Sequence, residues 1–504
     1  MFYNISVKDK YLIMEIKMIF ATLKLNDKDP IYTQLQTHIN EGVKKGELKK
    51  GSKLPSTREA SKFLGISRNS VISAYEELES RGVITTKRGI GTFVNIEVEN
   101  NTTFYNINYR QYVNSYGLSL YEEDIIKNEP HYKKGMISFK SIAPDPCLFN
   151  MEDFKRALLD ALSKEETNLL NYGYAKGYAP LIKYLETYMS EKGVSLDNKS
   201  ILITNGFTEA FDLVISTLTK PGDIIICEEP THNTALKIMK AHGLIPLQIP
   251  LNKDGMNLRA LEHALKSKHP AFGYIIPSYN NPTGIVTKGA KRKKIYDLFM
   301  KYSVPVIEDG FNEELLYSSS PLQPVAAYAG SGNGCIYLGS LSKVLFPGLR
   351  IGWILADEKL IDILESAKRG RNIHCSFLDQ STLYNYFING SFSKYIKAVK
   401  KYYKEKYHLI KELTSKYIEY DDILGEGGLH IFIKLKYKVS ARKLLELCYN
   451  EGVLFMPGDI FYADSSHEDT LRLGFGRISN EDMEKGIKII GEKLDELYQK
   501  NTTV

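Results

Sequence analysis

Six β-prone apolar runs constrain this chain more than any other feature: "SILITN", "DIIICEE", "FGYIIPS", "VPVIED", "CIYLGSL" and "RIGWILA". The first three are each followed by a helix-like run: "FTEAFDLVISTLTK", "HNTALKIMKAHG" and "KGAKRKKIYDLFMKY". A strand that is apolar on both faces needs a packed layer on each side. This alternation therefore predicts an α/β fold, with an open, mostly parallel sheet between helices. From about residue 376 the chain turns helix-heavy ("SKYIKAVKKYYKEKYHLIKEL") and then alternates again, which predicts a smaller α+β subdomain over about 376–504.

A chain of 504 residues is too long for one ordinary core, and its 43% hydrophobic and 25% charged content is that of a soluble globular protein. Net charge is only +6, but residues 31–96 hold 11 Lys/Arg against 6 Asp/Glu, so +5 of it sits in a small module. In that module Ile31, Leu35, Ile39 and Val43 form one helical stripe. Ser56-Thr-Arg-Glu59 is a capping box for a second helix, with Ala60, Phe63 and Leu64 expected inward. Gly65-Ile66 is a tight turn, and Ser67 caps a third helix with Val71, Ala74, Tyr75 and Leu78 on its buried side. "GVITTKRGIGTFV" then reads as a hairpin. A helix-turn-helix followed by a basic hairpin is built to meet double-stranded DNA. Ser67, Arg68, Asn69, Ser70 and Ser73 lie at the end of the helix that would enter a major groove, Arg58 lies on the preceding helix, and Lys87 and Arg88 lie at the hairpin tip.

The expected domains are an N-terminal extension (1–26), the basic module (27–96), a linker or docking segment (97–134) and the large domain (135–504). The opening "YLIMEIKMIFATLKL" is interrupted by charge, so no signal peptide or membrane span is expected; the start could equally be Met14 or Met18. Five scattered cysteines without zinc spacing predict a reduced, cytoplasmic protein with no metal site.

"GSLSKVLFPGLRIGW" places a lone lysine, Lys343, inside an apolar stretch. Imine chemistry requires an amine that is neutral part of the time, hence a buried lysine or one beside positive charge. Pyridoxal 5'-phosphate would further need a dianion cradle, an acid for its ring nitrogen, a donor for its ring oxygen and a flat partner for its ring. Each is available. Ser340, Ser342 and Arg350, with Gly206, Phe207 and Thr208 at a strand-to-helix turn, can hold phosphate. Asp309 ends a predicted strand, Asn281 sits in "NNPTG", and His232 follows "CEEP". Taken singly, each has a structural reading as a turn, a cap or a surface histidine.

Two resemblances extend this reading. "LPSTREASKFLGISRNSVISAYEELESRGVITTKRGIGTFV" resembles the GntR-type winged helix, which implies Arg58, Arg68 and the Gly91-Thr92 wing as DNA contacts. "YGYAKG", "TNGFTEA", "NNPTG", "EDGF", the Lys343 run and "LRLGFG" resemble the fold type I, aspartate-aminotransferase-like family. That resemblance implies Lys343 as the aldimine lysine, Asp309 at the pyridinium and Asn281 at the ring oxygen. It also implies that Tyr172 reaches the phosphate of a second subunit and that Arg472 binds a carboxylate. Two positions depart from the family pattern: Phe311 stands where a tyrosine is usual, and His232 replaces the usual Tyr or Phe.

The fusion is similar to the MocR subfamily of GntR regulators. It implies a pyridoxal-phosphate-dependent, homodimeric transcriptional regulator that senses an amino compound or the cofactor itself. The alternative is a working aminotransferase carrying a DNA-binding appendage.

Overall fold

Alternating side chains decide the large domain. Ile201, Ile203, Ile226, Tyr337, Trp353 and Leu355 join one buried cluster, while Leu202, Ile225, Cys227, Leu338 and Ile354 join another. Successive residues of a strand point to opposite faces, so each of these strands feeds two cores and must lie in the middle layer of three. The computed structural model describes residues 19–20, 23–26, 29–96, 107–124, 127, 129–311, 313–315, 317, 322–464 and 467–502, and the chain divides into two compact units, 1–109 and 110–504. Most of the N-terminal extension lies outside the described residues.

In the first unit, helices Ile31–Lys44, Thr57–Leu64 and Arg68–Ser80 pack around Leu35, Ile39, Val43, Ala60, Val71, Ala74, Tyr75 and Leu78. The capping box closes in both directions: Glu59 N–H donates to Ser56 Oγ (3.3 Å), and Ser56 N–H donates to Glu59 Oε2 (2.8 Å). Ser67 accepts from Asn69 N–H at the start of the third helix. One expectation fails. Phe63 is exposed, because the second helix is only eight residues long and ends at Gly65 in the left-handed region (φ +68); Leu64 and Ile66 pack on the core instead. The hairpin strands β2 (Ile84–Lys87) and β3 (Gly91–Val94) pair antiparallel, and a short β1 (Lys53–Leu54) that was not foreseen pairs with β3.

In the second unit, β4 (Ile137–Ser138) is followed by β5 (Lys199–Thr204), β6 (Ile224–Glu229), β7 (Ile245–Asn252), β8 (Gly255–Met256), β9 (Phe272–Ile275), β10 (Val306–Asp309), β11 (Cys335–Ser340) and β12 (Gly352–Asp357). The main sheet has the order β5-β12-β11-β10-β9-β6-β7-β8. Its centre, from β11 to β7, is parallel, whereas β12 runs antiparallel to both β11 and β5, and β8 runs antiparallel to β7. The smaller part carries β13 (Tyr420–Leu424), β14 (His430–Leu435), β15 (Val453–Leu454), β16 (Met456–Pro457) and β17 (Thr470–Gly474), with the order β13-β14-β17-β16 in one sheet. It is not built from 376 onward alone: β15 pairs in parallel with β4, so the segment entering the large domain is also a strand of the small one.

The segment before β4 docks on this unit. Helix Ser115–Glu122 packs on helix Asn233–Ala241, with the Tyr116 ring 4.9 Å from His242 and Glu123 paired to Lys240 at 3.2 Å. None of the five cysteines is in a disulfide, and among the described residues no helix is long and apolar enough to cross a membrane and no His/Cys/Asp/Glu group could hold a metal.

Trp353, the sole tryptophan, is buried against Gly339, where an added Cβ would lie 2.0 Å from the indole. Gly339→Ala must displace that ring. We expect a loss of about 1–3 kcal/mol in urea unfolding followed by tryptophan emission, with a red-shifted native spectrum.

Candidate functional site

Strand ends and the loops that follow them build one cavity of about 390 Å³. Phe207, Thr208, His232, Asn281, Asp309, Ser340, Ser342, Lys343, Arg350 and Arg472 all line it, together with Phe311. Gly206 lies directly behind, as the N-cap of helix Phe207–Leu218 (φ +82); a Cβ there would come 3.0 Å from the Arg350 guanidinium. Arg350 itself sits in the left-handed region (φ +51) and donates to Asn205 O at 2.6 Å. An arginine is thus held at strained backbone against a glycine turn and a helix N-terminus, an arrangement suited to an anion. Ser342 Oγ is buried without a hydrogen-bond partner, and Ser340 Oγ accepts from Ser342 N–H at 3.3 Å.

Lys343 follows β11. Burial, and then the charges of Arg472, Arg477 and Arg350, pull its amine down to about 8. Asp309, at the end of β10, is buried and pushed up to about 7; the Tyr274 hydroxyl, donating to Oδ2 at 2.9 Å, works against that rise. Among the described residues no cation pairs with this carboxyl, and a protonated ring nitrogen would supply one. His232 is driven down to about 3 by burial and by Lys343 and Arg472, so it is neutral at physiological pH; its ring lies 5.3 Å from that of Phe207.

Arg472, on β17, is a buried cation, and among the described residues no carboxylate pairs with it. It donates to Asn281 Oδ1 at 2.7 Å and to Lys140 O at 3.1 Å, lies over the Phe461 ring, leaves Nε unpartnered, and is lowered by burial to about 9. An incoming anion would complete it. The Asn281 loop is fixed from behind. Buried Glu228 accepts from Ile276 N–H and from Asn280 Nδ2, both at 2.8 Å, and Asn280 Oδ1 accepts from Thr283. Buried Arg292 donates to the carbonyls of Pro277, Thr287 and Gln323. Tyr274, Glu228, Arg292 and the cavity residues Lys140 and Arg477 were not foreseen. Strand order alone brings Tyr274 beside Asp309, although a charge just past "LRLGFG" was a readable hint for Arg477. Tyr172 lies outside this group: it is exposed, edge-on to His374 at 6.1 Å.

In the first unit Arg58, Ser67, Arg68, Asn69, Ser73, Lys87 and Arg88 are exposed, Ser70 and Gly91 are half-buried, and Arg68 Nε reaches Thr57 Oγ1 at 3.4 Å. Thr92 is buried and shares a hydrogen bond with Thr86 Oγ1 at 3.3 Å, so its side chain belongs to the sheet rather than to the outer face of the wing. Ile90, at the hairpin tip, is exposed.

Residues 144–490 match the family described as aminotransferase class I and II. The chain belongs to that family. Residues 31–94 match the bacterial regulatory proteins of the gntR family, so a DNA-binding helix-turn-helix domain precedes the aminotransferase domain. The chain is 31% identical to aromatic-amino-acid aminotransferase 1 of Thermococcus litoralis, over 72% of this chain and 89% of that protein. It is 28% identical to the uncharacterized HTH-type transcriptional regulator YdfD of Bacillus subtilis, over 95% of this chain and 99% of that one. The crystal structure of LysN, the alpha-aminoadipate aminotransferase of Thermus thermophilus, complexed with N-(5'-phosphopyridoxyl)-L-leucine, superposes with a TM-score of 0.71 at 29% identity, covering 78% of this chain and all of that one. Pyridoxal phosphate is the cofactor of this class, and the orphaned Ser342 hydroxyl, the Gly206–Arg350 cradle and the desolvated Asp309 fit it.

The neutral amine is the reactive form of Lys343. Its attachment to added pyridoxal phosphate should therefore rise with pH to a midpoint near 8. Arg472→Met removes a charge that depresses the amine, so it should move that midpoint upward in stopped-flow absorbance.

Proposed function

We propose that this protein is a DNA-binding transcriptional regulator whose aminotransferase domain holds pyridoxal phosphate on Lys343 and senses an amino compound. The observation that carries this reading is the pairing of an exposed basic reading face in one unit with a cofactor-ready cavity in the other. When bound, the cofactor supplies an electrophilic carbon and an electron sink. The chain's own residues would do the rest. Ser340, Ser342, Arg350 and the helix at Gly206 would hold the phosphate, Asp309 would keep the ring nitrogen protonated, Asn281 would face the ring oxygen, and His232 would lie against the ring. Arg472 would take the carboxylate of the amino compound. As a homodimer, a second copy would bring the exposed Tyr172 to the phosphate.

Phe311 supports sensing over turnover. It is partly buried, with its ring 6.2 Å from that of His430, and it offers no hydroxyl to the cofactor's ring oxygen. A hydrogen bond to a charged group contributes about 1.5–3 kcal/mol, enough to change which step is slow. One feature favours the second reading, a working aminotransferase: burial and the neighbouring guanidiniums bring the Lys343 amine down to about 8, so part of it is neutral at physiological pH.

A signal has a physical route out of the cavity. Arg472 holds Lys140 O, and Lys140 Nζ donates to Pro130 O at 3.3 Å. Beside it, buried Glu129 pairs with Arg442 at 3.0 Å, and Arg442 pairs with Asp459 next to the Phe461 platform of Arg472. An anion that re-aims Arg472 therefore pulls on the segment leading back to the DNA-binding unit.

DNA titrations of the full chain test this. Arg68→Ala should cost about 1–3 kcal/mol on the specific site if it reads a base edge. Lys87→Ala should weaken all sequences alike and flatten the log–log salt slope by about one unit. An amino acid should change the DNA affinity of the wild type, and Glu129→Ala should abolish that response while cofactor absorbance persists. Fast turnover of many amino donors with no effect on DNA would favour the enzyme.

A further inference from the structure

Two buried hydrogen-bonding groups beside the cavity lack partners, and they are complementary. His430, the first residue of β14, is fully buried. Its Nε2 faces Asn280 O at 3.3 Å. A carbonyl oxygen only accepts, so Nε2 carries the ring proton and Nδ1 is a bare acceptor. Among the described residues nothing donates to that Nδ1. Arg472 Nε is the reverse, a buried N–H without an acceptor. Burial, and then the charges of Arg472 and Lys343, drive the His430 imidazole down to about 3, so it stays neutral beside them.

Strand register puts the two groups on one face. β14 and β17 pair antiparallel, with Phe432 opposite Arg472 and Gly474 opposite His430. Ile431, Ile433, Leu471 and Leu473 feed the main core. Phe432 packs on the other side with Met456, Phe461 and Tyr462, and Arg472 lies over the Phe461 ring. His430 and Arg472 are therefore diagonal neighbours on this second face, a spacing of about 7–8 Å that a long side chain spans. Gly474 adds no side chain opposite His430.

The aim of the guanidinium leaves both groups unpaired. Arg472 Nη1 donates to Asn281 Oδ1 and Nη2 to Lys140 O. A carboxylate entering the cavity would draw those outer N–H groups to itself, and the accompanying turn would offer Nε to Nδ1. His430 also holds Asn280 O, and so steadies the loop that carries Asn281. A neutral acceptor suits this place. A carboxylate at position 430 would satisfy Arg472 and compete with the ligand, whereas an apolar side chain would leave Nε without any acceptor.

We propose that His430 is a positioning residue for the ligand carboxylate: when an anion engages Arg472, Nδ1 accepts from Arg472 Nε while Nε2–H keeps the Asn281 loop in place. The proposal rests on the reading of Arg472 as the carboxylate receptor and adds the residue that aims it.

The test uses the full-length, cofactor-loaded protein, the absorbance shift of its cofactor, and two probes that differ only by a carboxylate, L-norvaline and n-butylamine. His430→Leu should raise the half-saturating concentration of norvaline about tenfold, through loss of a hydrogen bond to a charged group, and leave that of butylamine unchanged. His430→Gln, which keeps a donor and an acceptor, should stay within about threefold of the wild type for both probes. A residue that only supports the fold would move both probes together; that result, or no change with either, overturns the inference. Solid-state nitrogen NMR of the wild type carrying isotope-labelled histidine gives a readout that survives misfolding of His430→Leu. The bare Nδ1 resonance, assigned by its loss in His430→Gln, should move to lower frequency with norvaline and stay in place with butylamine. An Nδ1 resonance that norvaline leaves in place overturns the pairing with Arg472 and leaves the cavity as an amino-acid receptor. Equal half-saturation by norvaline and butylamine in the wild type takes the carboxylate away from Arg472, and this inference with it. If neither probe shifts the cofactor band, the receptor reading itself falls.

Discussion

Uncompensated positive charge is what the rest of the site depends on. Arg472 is buried on β17 with amide and carbonyl oxygens and the Phe461 ring as its partners, and the charges of Arg472, Arg477 and Arg350 all lower the Lys343 amine. Burying cations without counterions is costly unless an anion arrives or a proton leaves. Both outlets are chemically useful here. The lysine releases its proton easily enough to be a nucleophile, and the arginines keep unused capacity for phosphate and carboxylate.

Such a field survives only if the surrounding frame does not collapse around it. The frame is itself polar and satisfied. Arg292 donates to three carbonyls and the Ser278 hydroxyl, and Glu228 ties the segment from Ile276 to Asn280 to β6. Glu308, beside Asp309 on β10, accepts from the backbone of Val325 and Ala326. Each buried charge of the frame is thus matched by hydrogen bonds, while those of the cavity are left for a ligand. The same economy extends to the segment before β4, where Glu129 and Pro130 join the frame through Arg442 and Lys140.

Much of this was legible in the residues. Continuous apolar, β-prone runs required a sheet buried on both faces, and the capping box, the glycine turn and the basic hairpin specified the small module. The residues that line the cavity were readable because most of them sit in loops next to those runs. Phe63 was misjudged because helical periodicity does not say where a two-turn helix stops. Thr92 was read as part of the wing, yet its hydroxyl turns inward to Thr86. The docking of 115–122 on the large domain carried no clean period, since only a few aromatic and charged side chains hold it.

By itself, then, the sequence determined which chemical groups were present and which local elements carried them, because capping, turn geometry and side-chain alternation act over a few residues. Only the tertiary structure decided which distant groups meet. Tyr274 reaches Asp309 because β9 and β10 are neighbours in the sheet, 35 residues apart in the chain. Lys140 meets Arg472 across 332 residues, and Pro144 meets Arg477 across 333. The electrostatics of the cavity come from those encounters, because desolvation and charge proximity depend on distance in space and not on spacing along the chain.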